Sequence, residues 1–95
     1  MKEYGLQLKD AEVLIKKELI ASVDAEQQDN QEWTFYITFT NSHNNKLERI
    51  YIERQRQGKR TWADPRRMFD LMYESFGICE GVFKIQLTRL NDEKN

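Results

Sequence analysis

The chain has 95 residues, 39% of them hydrophobic and 33% charged, and a formal net charge of −1. That composition fits one globular domain and excludes a fibrous or membrane-embedded class, while the near-neutral balance argues against an indiscriminate nucleic-acid coat. Cys79 is the only cysteine, so an internal disulfide is excluded, a thiol metal site is not expected, and a reduced cytoplasmic setting is.

The total charge hides an asymmetry. Residues 1–32 hold four lysines against eight acids, whereas residues 46–67 hold eight arginines and lysines against three acids. Such a basic middle suits a polyanion or an acidic protein surface. No apolar run approaches the ~18 residues of a membrane span, and no signal peptide is expected at the start of the chain.

In chain order, Leu8, Ala11, Ile15 and Leu19 recur at helical spacing, which predicts a first helix from about Leu8 to Val23. Val13 and Ile20 fall on a second face of it. Asp24 to Glu32 has no apolar period and reads as a polar connector. Trp33 to Thr40 then alternates strictly, with Trp33, Phe35, Ile37 and Phe39 on one side and Thr34, Tyr36, Thr38 and Thr40 on the other. This is a half-buried antiparallel strand. Residues 41–46, Asn-Ser-His-Asn-Asn-Lys, form a hairpin turn, and Leu47 to Gln55 returns as a second strand with Arg49 and Tyr51 joining Tyr36 on the outer face. Gln57-Gly58 offers a tight turn into a short third strand at Arg60 to Trp62.

Asp64-Pro65 is an N-cap followed by proline at the first helical position. A second helix follows, with Met68, Leu71, Met72 and Phe76 on its apolar face and Gly77 at its end. Val82 to Leu90 alternates again and closes the chain as a last strand, followed by a polar tail at 91–95. The expected fold class is therefore α+β: one domain over residues 1–90, a two-layer sandwich with an antiparallel-rich sheet and two helices on one face, in the order α-β-β-(β)-α-β.

For chemistry, the sequence offers little that is catalytic. His43 stands alone in the turn, no phosphate-binding glycine loop or nucleophile elbow occurs, and Cys79 lacks basic neighbours. No enzyme activity, metal or cofactor is expected. Asp70 and Glu74 share a helix face at i, i+4, but Asp70 also stands four after Arg66, where it simply offsets charge.

The basic stretch 53–68 carries the functional expectation. Arg66 and Arg67 occupy the first turn of a helix whose dipole opposes them, by about 0.3–1 kcal/mol each. With Arg54, Arg56, Lys59 and Arg60 they form an arch that suits phosphate or carboxylate. Trp62 either stacks on a base or an arginine or packs under the helix as a staple. The leading expectation is a non-catalytic module that contacts nucleic-acid backbone, or an acidic surface in a nucleic-acid-handling complex. The alternative is a protein–protein adaptor or inhibitor using Tyr36, Thr38, Arg49 and Tyr51 on the outer sheet face, with homodimerisation as one form.

The run Tyr51 to Gly58, followed by Arg60, Trp62, the helix with Met68 and Leu71, Phe76-Gly77-Ile78 and Phe83-Lys84-Ile85, resembles small accessory proteins encoded beside plasmid partition genes. The resemblance spans residues 51–88. It implies a mobile-element accessory without catalysis and carries over no site residues. The chain departs from that pattern at Asp64-Pro65 and at Cys79-Glu80-Gly81.

Overall fold

The computed structural model describes residues 1–86. In chain order the elements are β1 (Lys2–Leu6), α1 (Leu8–Lys17), β2 (Leu19–Gln27), β3 (Trp33–Asn41), β4 (Lys46–Ile52), α2 (Pro65–Phe76) and β5 (Val82–Lys84). They build an α+β fold with one five-stranded mixed sheet of order β1-β4-β3-β2-β5. The central strands pair antiparallel, β2 with β3 and β3 with β4, and parallel pairings add β1 and β5 at the edges. β1, β2, β4 and β5 thus run one way and β3 the other.

β3 is the central strand, paired with β4 on one side and β2 on the other. Phe35, Ile37 and Phe39 are at most 1% exposed on the helix-covered face, where they meet Val23 and Ala25 of β2, Ile50 and Ile52 of β4, Ala11 and Ile15 of α1, and Met68 and Met72 of α2. Each crossover, β1 to β2 through α1 and β4 to β5 through α2, moves three places in the same direction along the sheet. A common handedness then puts both helices on one face.

The expected element order needs two additions and a shorter first helix. α1 stops at Lys17, and Glu18 is already extended at φ −121°, ψ 158°. The nine residues Leu19–Gln27, expected as helix end and connector, are a strand with Val23, Ala25 and Gln27 buried. Their eight-residue pairing with β3 supplies ladder bonds and apolar burial that a few more helical residues could not match. β1 is also a strand; only Tyr4 and Leu6 of its side chains pack on the core, too short an alternation to register in the sequence, and its pairing with β4 decides it. The third short strand reduces to two single bridges, Trp33 with Trp62 and Glu53 with Lys59, because the chain turns into α2 directly afterwards. α2 begins and ends as read, with Asp64 capping the Arg66 amide and Gly77 left-handed at φ 67°. The last strand spans Val82–Lys84 and stops short of Ile85 and Gln86, expected to continue it; the rest of its expected range, 87–90, and the tail 91–95 lie outside the described residues.

Gly81 leads into β5 so close to β2 that a Cβ there would stand 2.8 Å from the Val23 carbonyl oxygen. A backbone oxygen cannot swing away as a side chain would. Gly81→Ala is therefore expected to push β5 off β2 at a cost of about 1–3 kcal/mol, read as a lowered urea midpoint.

Glu48 breaks the apolar pattern of the helix-covered face at 6% exposure. Its carboxylate accepts from Asn41 Nδ2 at 3.0 Å and from the Tyr4 hydroxyl at 2.8 Å, tying β1 to the β3–β4 turn. Those two bonds, Asn41's first, hold Glu48 below its ordinary 4.5 against the opposing effect of burial. Burial and this same partner push Tyr4 up to about 12. A lowered folded-state value contributes stability above the unfolded-state value and loses it as pH falls through the folded one. The urea midpoint should accordingly drop on acidification below about pH 4.5, and Glu48→Gln should lose part of that acid dependence.

Candidate polyanion-binding arch

Strand direction gathers the site at one end of the sheet. The carboxyl ends of β1 and β4, the amino end of β3 and the first turns of both helices meet there. Residues 53–64 bridge that end as an arch.

The arch backbone is tied at several points. The Glu53 amide donates to the Leu6 carbonyl at 2.9 Å, Arg54 to Gly58 at 2.9 Å, Arg60 to Ile52 at 2.8 Å, and Trp62 and Trp33 exchange bonds at 2.8 Å each way. Side chains add to these: Thr34 Oγ1 donates to the Arg60 carbonyl at 2.9 Å, Gln7 Nε2 to the Arg54 carbonyl at 2.9 Å, and the Thr61 hydroxyl to Glu32. The loop is therefore a held scaffold, so its side chains are displayed at modest entropic cost. Gln7, Glu32, Thr34 and Thr61 escaped sequence reasoning because each acts on a residue far along the chain, and no local pattern marks such a pairing.

The seven basic and aromatic residues expected in the arch divide into two groups. Trp62 is 8% exposed and packs on Phe35 with ring centroids 5.7 Å apart; it is the staple and not a stacking surface. Lys59 turns onto the outer sheet face, donating to the Tyr36 hydroxyl at 2.5 Å and lying 4.9 and 5.2 Å from the Tyr36 and Tyr51 ring centroids. The hydrogen bond to Tyr36 raises its pKa. Arg66 folds back on Asp64 with bonds of 3.1 and 3.0 Å, and this pairing lowers the Asp64 pKa. It offsets the dipole penalty of an arginine in the first turn.

Arg54, Arg56, Arg60 and Arg67 are the second group. None forms an ion pair among the described residues. Arg54, Arg56 and Arg67 are exposed and Arg60 half-buried, its guanidinium 4.8 Å from the Trp62 ring centroid. Arg54 and Arg60 line an open groove shared with Gln7, Leu8 and Lys9 of the first turn of α1, which has no side-chain cap of its own. Glu53 and Asp10 supply the acidic part of that groove.

The outer sheet face is closed rather than open. Tyr36 and Thr38 are 4% and 7% exposed. Arg49 lies 3.9 Å from the Tyr36 ring centroid and meets Glu26 at 2.6 Å, Asp24 at 3.2 Å and Glu3 at 3.2 Å. Its Nε, next to Glu3, has no aligned hydrogen-bond partner. Lys84 completes the network at 3.7 Å from Glu26 and 3.8 Å from Asp24. Four strands contribute to this cluster, which explains why acids at 24 and 26 sit in a strand.

Exposed aromatics lie elsewhere: Phe69 at 37% and Tyr73 at 64% on α2, and Phe83 at 63% on β5, its ring centroid 5.8 Å from that of Phe69. Among the described residues no group of three or more histidine, cysteine or carboxylate side chains is placed to hold a metal, and no helix is long and apolar enough to cross a membrane. No protein-family model, curated protein or solved structure matches the chain.

Proposed function

We propose that the protein is a small non-catalytic binding module whose arch contacts a polyanion, with nucleic-acid backbone ahead of an acidic protein surface. One observation carries this. Arg49 and Arg66 are each consumed by carboxylates of the fold, yet Arg54, Arg56, Arg60 and Arg67 are held at one end of the sheet without any among the described residues. Packing asks for none of the charges of Arg54, Arg56 and Arg67, and Arg60 meets only the Trp62 ring, with its charge unpaired. The mobile-element setting belongs to the same proposal and rests on the sequence pattern of residues 51–88.

An adaptor working through the outer sheet face is favoured less, since Tyr36 and Thr38 offer almost no surface and Arg49 has three partners already. Fluorescence anisotropy tests the leading function. Replacing Arg54 and Arg60 together by alanine should weaken binding to labelled oligonucleotides and lower the salt slope by about two. Arg66→Ala should change it far less. Binding that is absent at low salt, or indifferent to the double substitution, rules the arch out.

A further inference from the structure

We infer that the arch takes a nucleic-acid duplex gripped by its phosphates, with bases unread, and discriminates against single strands; this rests on the polyanion-binding function proposed above. Proteins that hold single strands without sequence preference combine cations with aromatic faces on which bases stack. The arch has the first ingredient and withholds the second.

Trp62 is sealed beneath Arg60 and against Phe35, and Tyr36 is buried under Arg49 and Lys59. Tyr51 stands edge-on to Tyr36 and also lies under Lys59. Among the described residues, each aromatic ring that touches a cation of the arch, Trp62, Tyr36 and Tyr51, is therefore covered by it. The exposed Phe69 and Tyr73 stand three and seven residues after Arg66 on α2, a stripe with the arginine that Asp64 already neutralises.

Contacts to phosphate alone favour the more densely charged strand pair, since each neutralised phosphate contributes about −0.9 to the salt slope on B-form duplex and about −0.7 on a single strand. Base identity is read from groove edges, by side chains projected into a groove on a helix or a paired ribbon. Arg54, Arg56 and Arg60 stand on a loop with the single Glu53–Lys59 bridge at the base of its tip, and of the four only Arg67 stands on a helix. A four-arginine contact should give a slope of about −3.6 on duplex.

The experiment uses the full chain with short labelled probes: two DNA duplexes of unrelated sequence, a duplex RNA, and the separate strands of each. Expected are DNA duplex affinities within about twofold of each other and single strands weaker by about tenfold or more at low salt. Each of the changes Arg54→Ala, Arg56→Ala, Arg60→Ala and Arg67→Ala should lower the slope by about one, with circular dichroism confirming the fold. The RNA duplex distinguishes A-form from B-form as the source of the phosphates, and preference for either duplex over its strands supports the inference. Single strands bound as tightly as duplex, or binding lost on Tyr73→Ala while the arch variants leave it unchanged, overturns it. If arch variants still weaken that single-strand binding, polyanion binding by the arch stands; if no probe binds at all, both fall.

Discussion

Trp62→Ala is expected to destabilise the domain by about 3–5 kcal/mol, the range for truncating a buried aromatic to alanine. The indole is 8% exposed, lies against Phe35 and joins the core cluster of both helices. Its backbone exchanges two bonds with Trp33, so the cavity would open where the arch is fastened to the sheet. Urea unfolding followed by far-ultraviolet circular dichroism measures the loss. Trp62→Phe should retain much of the stability and, with it, the binding of oligonucleotides. A tryptophan that served as a stacking surface would show the reverse: native stability in the alanine variant and lost affinity in both.

The second large effect is expected at Arg49. Arg49→Met keeps most of the aliphatic volume and removes the charge, which leaves Glu3, Asp24 and Glu26 on the outer face with Lys84 as the remaining partner of Asp24 and Glu26. Fully buried pairs broken in this way cost about 3–5 kcal/mol. Asp24 and Glu26 side chains are 17% and 25% exposed, so water compensates in part and about 2–4 kcal/mol is expected. Repulsion between orphaned carboxylates has a signature of its own. Adding Asp24→Asn to Arg49→Met should recover a measurable part of the loss, because neighbouring charges are not additive. If the double variant is merely the sum of two destabilisations, Arg49 matters through packing and not through its ion pairs.

Both residues show where reading from sequence reached its limit. Trp62 between basic residues and Arg49 on an alternating strand look alike whether they face a partner or their own fold. Burial separates them, and burial depends on residues that arrive from elsewhere: Phe35 for Trp62, and Glu3, Asp24 and Glu26 for Arg49. Lys59 is the same case, a basic residue next to Arg60 that the Glu53 bridge turns onto Tyr36.

Local signals served well wherever the structure itself is local. The strict alternation of Trp33 to Thr40 is strand β3, and the Asp64-Pro65 start and Gly77 stop bound α2, because capping and pleating act between near neighbours. Where a segment's own preference was weak, neighbours distant in sequence settled it. Leu19 continues the helical spacing and Asp24–Gln27 has no apolar period of its own, and the long pairing with β3 made Leu19–Gln27 a strand. Lys2–Leu6 became one through β4.

By itself, then, the sequence determined the α+β class, the central hairpin, the second helix with both its ends, and the concentration of positive charge at 46–67. Only the tertiary structure decided the five-strand order, the parallel edges and the division of the arginines into those consumed by the fold and those left at its end. The physical reason is range: hydrogen-bond periodicity and capping are fixed within a few residues, whereas strand pairing, burial and ion pairing depend on which distant side chains the fold brings within a few ångströms.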